Sequence, residues 1–229
     1  MNYDEISRRL SADYSLFLFA IQGQYLSILT PGAEATRVML RGVNDRLRSL
    51  TLSFSESASA SIESFIERLT RNTSDSVVKG IQAQKAKLLE QIHGIMANDL
   101  AYVQTKLMHG SKGYGRLIGS AKGAMNLLIQ KKAATLDFRA PDTSARKWNS
   151  SALLRSYVRD FAYQSTIECQ VDALLQAGSV LGKVVYPSSD HPNQDMIISL
   201  SSEIDSHKTF ASIRDLVFHP NSHAEVVHV

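Results

Sequence analysis

The sequence predicts a mainly α protein: a long N-terminal helical region followed by a small C-terminal α/β or β-rich domain. Three observations lead there. Between Pro31 and Pro141 there is no proline, so nothing in that stretch removes a helix donor or clashes with the preceding turn. Its apolar residues recur in steps of three and four, the repeat of one helix face. Beyond Gly178 the pattern changes to the short β-branched runs GKVVYP, DMIISLS and AEVVHV, bounded by Gly, Pro, Asn and Ser, which is how strands are written.

The elements follow in order. Ile6, Leu10, Tyr14, Phe17, Leu18, Ile21, Tyr25, Ile28 and Leu29 form the apolar face of a first helix, ended by Thr30-Pro31-Gly32. Val43, Leu47, Leu50 and Phe54 repeat the pattern, as do Ile62, Phe65, Ile66 and Leu69. Between them SFSESASAS places serine at every odd position from Ser53 to Ser61. Serine is a poor strand former and the flanks are helical, so this is either a weak part of one helix or a break between two. Thr73, Ser74 and Asp75 are each able to cap the next helix. That helix carries Val77, Ile81, Leu88, Ile92, Ile95, Met96, Val103 and Leu107. Lys85 and Asp99 interrupt its heptads, which predicts a helical bundle over a strict coiled coil. A further helix runs from about Ala152 to Ala177, with Leu153, Tyr157, Phe161, Ile167, Val171, Leu174 and Leu175 inward and Gly178 as its stop. The expected organisation is a helical region at 1–140, with a glycine-rich basic segment at 106–132, and a C-terminal domain at 141–229.

Composition narrows the function classes. At 229 residues, 44% apolar and 21% charged, the chain has the makeup of a folded globular protein. A net charge of only +3 means that attraction to nucleic acid must come from a local patch. Cys169 is the single cysteine, which excludes an internal disulfide and a zinc site of several thiolates. The start MNYDEISRRLSADYS is acidic with no apolar run, and LFLFAIQGQYLSIL is interrupted by Gln and Gly and too short for a bilayer. A soluble intracellular product without a membrane partner is expected.

Five of the twelve glycines lie between Gly110 and Gly123, but SKGYGRLIGSAKG follows a helix and lacks the order of a phosphate-cradling loop. GSAKG is not a nucleophile elbow, and Ser144 with Lys147 matches only a four-residue pattern. From Lys106 to Lys147 nine basic residues face only Asp137 and Asp142, a net +7. Lys106, Lys112, Arg116, Lys122, Lys131 and Lys132 are therefore candidate contacts to the phosphates of DNA, without sequence reading. Five of the seven histidines fall in residues 191–229. His219 and His223 are four apart, but Pro220 between them rules out the helical zinc pair, and His191, Asp195 and His228 add donors without ordered spacing. His-Pro-Asn is read as a turn between two short strands, with no metal, cofactor or catalytic residue assigned.

The C-terminal part, DTSARKWNSSALLRSYVRDFAYQSTIECQVDALLQAG, VVYPSSDHPNQDMIISLS and FASIRDLVFHPNSHAEVVHV, resembles the minor capsid or head-morphogenesis proteins of tailed phages, the group that includes the Mu-type minor head proteins. The resemblance covers about residues 140 to 229. It rests on the order of an Asp-x-x-x-Arg-x-Trp start (Asp142, Arg146, Trp148), a helix from Tyr157 to Thr166, a strand, a polar motif holding His191, and the close His219, Pro220, Asn221, Ser222, His223. The family usually has Cys at the place of Ser222, an Arg before the last His, and a Cys pair where SSDHPNQD stands, so no metal or thiol role carries over. Some members are linked to an ADP-ribosyltransferase-like fold, but this chain has no matching Arg, Ser-x-Ser and Glu-x-Glu set. The resemblance implies a virion structural protein at the head interior or portal vertex, assembled in the host cytoplasm. Its implied partners are the portal or major capsid protein, packaged DNA, and copies of itself. A head–tail connector or internal ejection protein built as a helical ring is the alternative.

Overall fold

The computed structural model describes residues 3–28, 37–114, 136–188, 190–201, 207–219 and 223–229. It is mostly helical, with a small C-terminal region of antiparallel strands, as the sequence predicts. In chain order the helices are α1 (Tyr3–Ile28), α2 (Arg37–Leu69), α3 (Asp75–Tyr114), α4 (Ser150–Gln176) and α5 (Phe210–Val217). The strands are β1 (Arg139–Pro141), β2 (Lys147–Asn149), β3 (Leu181–Val185), β4 (Ile197–Ser199) and β5 (Glu225–His228). No helix among the described residues is long and apolar enough to cross a membrane.

The chain forms two compact units that are interleaved along the sequence, and both draw on residues from either side of position 140. One comprises Met1–Arg8, Ala60–Leu89 and Arg155–Val229; the other comprises Arg9–Ser59 and Glu90–Leu154. Each long helix therefore contributes residues to both.

In the second unit Tyr14, Phe17 and Ile21 of α1, Val43, Leu47 and Phe54 of α2, and Ile92, Met96 and Val103 of α3 are buried. The Tyr14 ring lies 5.1 Å from that of Phe54, and Phe17 stacks on Phe54 at 5.3 Å. The serine-rich stretch is continuous helix within α2. Phe54 and Ala58, four apart, turn inward while Ser53 and Ser57 are exposed, so the alternating serines ride on an intact helix face. A short hairpin, not anticipated from periodicity, pairs β1 with β2 in the register Arg139↔Asn149, Ala140↔Trp148, Pro141↔Lys147.

The first unit holds a three-stranded antiparallel sheet in the order β4-β3-β5. Its core joins Tyr163, Ile167 and Val171 of α4 to Val184 and Tyr186, Ile198 and Leu200, Ile213 and Val217 of α5, and Val226 of β5. Gly182 in β3 has no room for a side chain: a Cβ there would sit 2.7 Å from Val226 and 2.8 Å from Leu200.

Three local expectations change. Val217 and Phe218, read as a short strand ahead of the His-Pro-Asn turn, are instead the last residue and the C-cap of α5, which Thr209 caps at its start by accepting the Ser212 N–H at 3.2 Å. On α4, Val158 and Tyr163 are buried while Leu175 is 37% exposed, because the helix closes there. Gly178 at φ +83° sends its N–H to Leu175 O, and the Ser179 N–H reaches Leu174 O, both at 3.0 Å. That is a Schellman stop, and its left-handed residue suits glycine. At the start of α3, Ser74 does not act alone as a cap. Its N–H and hydroxyl both donate to the Asp172 carboxylate, at 2.7 and 2.5 Å. A carboxylate is favoured at a helix N-terminus. Burial pulls the Asp172 carboxyl upward, but the Ser74 hydroxyl, the Ser74 N–H and Gln176 together hold it below the usual range.

Candidate functional site

The resemblance-bearing residues Asp142, Arg146 and Trp148 meet at the tip of the β1–β2 hairpin. Asp142 Oδ1 accepts the backbone N–H groups of Ser144 and Arg146 at 2.8 and 2.9 Å. Its Oδ2 accepts Trp148 Nε1–H at 2.9 Å and Arg146 Nε–H at 3.2 Å. The backbone closes beside it, with Asp142 N–H to Arg146 O and Ala145 N–H to Asp142 O, each at 2.9 Å. Ala145 occupies the left-handed region at φ +59°. One carboxylate thus organises the whole turn, as Asx side chains do, and this accounts for the spacing: positions four and six residues on are those a hairpin folds back onto it. Burial raises the Asp142 carboxyl, but the donors from Arg146, Trp148 and Ser144, with the Arg146 charge, together outweigh it and hold it below the usual range. The Trp148 ring, tethered by its N–H, remains 47% exposed.

His223 forms a second cluster, in the first unit. Its Nδ1 is 2.8 Å from the Tyr3 hydroxyl and its Nε2 is 3.1 Å from Arg159 Nη2. Arg159 also pairs with Asp4 at 2.9 Å. The Tyr3 ring meets Tyr163 edge-on at 5.3 Å, and the Tyr163 hydroxyl donates to Ala224 O at 2.8 Å. Burial, then the neighbouring Asp4, hold the Tyr3 hydroxyl above the usual phenol range.

The other candidates lie apart. His191 stacks on Tyr186, centroids 3.6 Å apart, and its Nδ1 accepts the Asn193 N–H at 3.2 Å. Asp195 pairs with Lys183 at 3.4 Å, and His228 contacts Val229 O at 2.6 Å. His219 is exposed. Among the described residues, no group of three or more His, Cys, Asp or Glu side chains gathers as a metal site. Of the basic residues, Lys106 sits 5.5 Å over the Tyr102 ring, and Lys112 lies on α3. Arg116, Lys122, Lys131 and Lys132 lie outside the described residues, as do Pro220 and Asn221.

A buried polar centre in the second unit was missed by sequence reasoning. Asp99 of α3, read only as an interruption of the heptads, is fully buried, as is Tyr14. Its Oδ2 accepts the Tyr14 hydroxyl at 2.7 Å, and its Oδ1 accepts the Ser150 hydroxyl at 2.8 Å and Asn98 Nδ2–H at 3.3 Å. Burial raises the Asp99 carboxyl above the usual range against the pull of those three donors. Tyr14 and Ser150 are 85 and 51 residues away, so spacing carried no signal for them.

Comparison with protein-family models, curated proteins and solved structures gives no match.

Proposed function

We propose that the chain is a structural protein of a tailed-phage virion: a minor head protein associated with the portal, acting in capsid assembly or in genome packaging and ejection. The observation that carries this reading is the hairpin at Asp142. The three residues that bear the resemblance are used together, as a fastening, and the elements after them follow the same order: α4, β3, β4 and β5. His223, the last residue of the resembling close, is likewise engaged in fastening contacts, to Tyr3 and Arg159. In this reading the portal or major capsid protein is the partner, and the basic residues from Lys106 to Lys132 supply contacts to packaged DNA.

The length of α2 and α3, 33 and 40 residues, favours as a second reading a connector or internal ejection protein whose helices pack into a ring. Mass spectrometry of purified virions, with cryo-EM to place the density, decides between them. A low-copy position inside the head supports the first reading and symmetric density at the portal or tail the second. Absence from the particle ends both.

A further inference from the structure

We infer that His223 is a proton-operated fastening: as a neutral ring it holds itself and Ala224, just ahead of β5, against α1 and α4, and protonation of the ring breaks its contact with Arg159. The argument starts from the guanidinium, which has five donors, no acceptor, and never gives up its proton in a protein. Arg159 Nη2 lies 3.1 Å from His223 Nε2, so Nε2 must be the acceptor and carries no proton. The ring is then neutral with its proton on Nδ1, which donates to the Tyr3 oxygen 2.8 Å away. This is the one protonation state that satisfies both contacts.

Adding a proton at Nε2 sets donor against donor and cation against cation. The Tyr3 contact survives, since Nδ1 donates in either state, but the Arg159 contact does not. Among the described residues, the charged and titratable groups around the ring include Tyr3 and Asp4 of α1, Arg159 and Tyr163 of α4, and Glu225 of β5. The two carboxylates attract an imidazolium, yet Asp4 is engaged with Arg159, and Glu225 is exposed, where charge interactions are screened. The loss of the directional bond therefore decides the outcome. The backbone adds to it: His223 sits at φ +52°, a conformation that non-glycine residues hold only where their surroundings impose it. The inference is independent of the virion reading.

Two measurements on the full chain test it. Long-range nitrogen–proton NMR at pH ~7.5, a pH where histidine is ordinarily neutral, reads the tautomer of the wild-type ring directly, its signals assigned by through-bond correlation to the His223 backbone. The Nδ1–H form is expected; an Nε2–H ring overturns the inference. Amide exchange, corrected for intrinsic rates, is then compared with that at an acidic pH at which the same ring signals report the His223 imidazole doubly protonated. The amides of residues 223–228 are expected to lose protection by roughly tenfold, the loss of one charge-assisted bond. His223→Gln, which can accept from Arg159 without titrating, is expected to lose that response. An equal acid response in wild type and variant also overturns the inference. The tautomer measurement decides even if the variant fails to fold.

Discussion

Replacing Tyr14 by phenylalanine removes a single oxygen from the middle of a buried contact and keeps the ring that packs on Phe17 and Phe54. What is lost is the 2.7 Å bond to Asp99 Oδ2. Hydrogen bonds to a charged group contribute about 1.5–3 kcal/mol net, and an acceptor left unpaired in the interior adds its desolvation cost. Asp99 is wholly buried, so a loss of about 2 kcal/mol is expected at neutral pH. Urea unfolding followed by circular dichroism should show a lower midpoint with an unchanged slope. The pH dependence gives a second check. Burial raises the Asp99 carboxyl in the fold, so the native state takes up this proton before the unfolded chain does. The stability linked to it is fully present below the unfolded carboxylate value, about 4, and is lost as pH rises through the higher folded value. Removing a donor to the charged form raises the folded value further, so the deficit of the variant should shrink on acidification through that window. A deficit under about 0.5 kcal/mol at neutral pH, within the scatter of ordinary surface changes, or one that does not shrink in acid, refutes the reasoning.

Three further outcomes are expected. Gly182→Ala forces a methyl against Val226 and Leu200 and should cost about 1–3 kcal/mol of overpacking in the same urea assay; a neutral effect would mean that both side chains yield freely. Gly178→Ala places a Cβ at φ +83° and should cost about 1 kcal/mol, read as a lower thermal midpoint. Asp142→Ala removes the acceptor of the only tryptophan's indole N–H, so emission should shift to the red and quenching by iodide should increase. In the native chain the donors around Asp142 lower its carboxyl, so the hairpin's stability is present above the unfolded carboxylate value and is lost as pH falls through the folded one; unchanged emission in strong acid would contradict this.

The helices were legible because their information is local. Ile6, Leu10 and Tyr14, or Ile92, Ile95 and Met96, repeat at the helix period and are buried as that period requires. The strands were legible for the same reason, since Val184 and Val226 sit in β-branched runs. The polar centres were not. Asp99 and Lys85 appeared only as faults in a heptad, whereas Asp99 meets Tyr14 and Ser150, and Lys85 pairs with Glu63 of α2. A fault is visible in one helix, but its partner lies on another. The hairpin at Asp142 was half legible: the Asp, Arg and Trp were singled out by resemblance, but the reason for their spacing is the fold-back of the turn. His223 was noticed for its chemistry and assigned no partner, because Tyr3 is 220 residues away.

That separation bears on how the molecule is made. Tyr3 and Ile6 belong to a unit whose sheet and two of whose helices come from residues 155–229, so the first turns of the chain leave the ribosome long before their neighbours exist. Contacts this distant in sequence are slow to close. In the interval the apolar residues of those first turns, Ile6 among them, lack the cover of their own unit, which is the state in which aggregation competes with folding. Completion of the first unit therefore awaits the synthesis of β5, the strand whose Val226 closes its core.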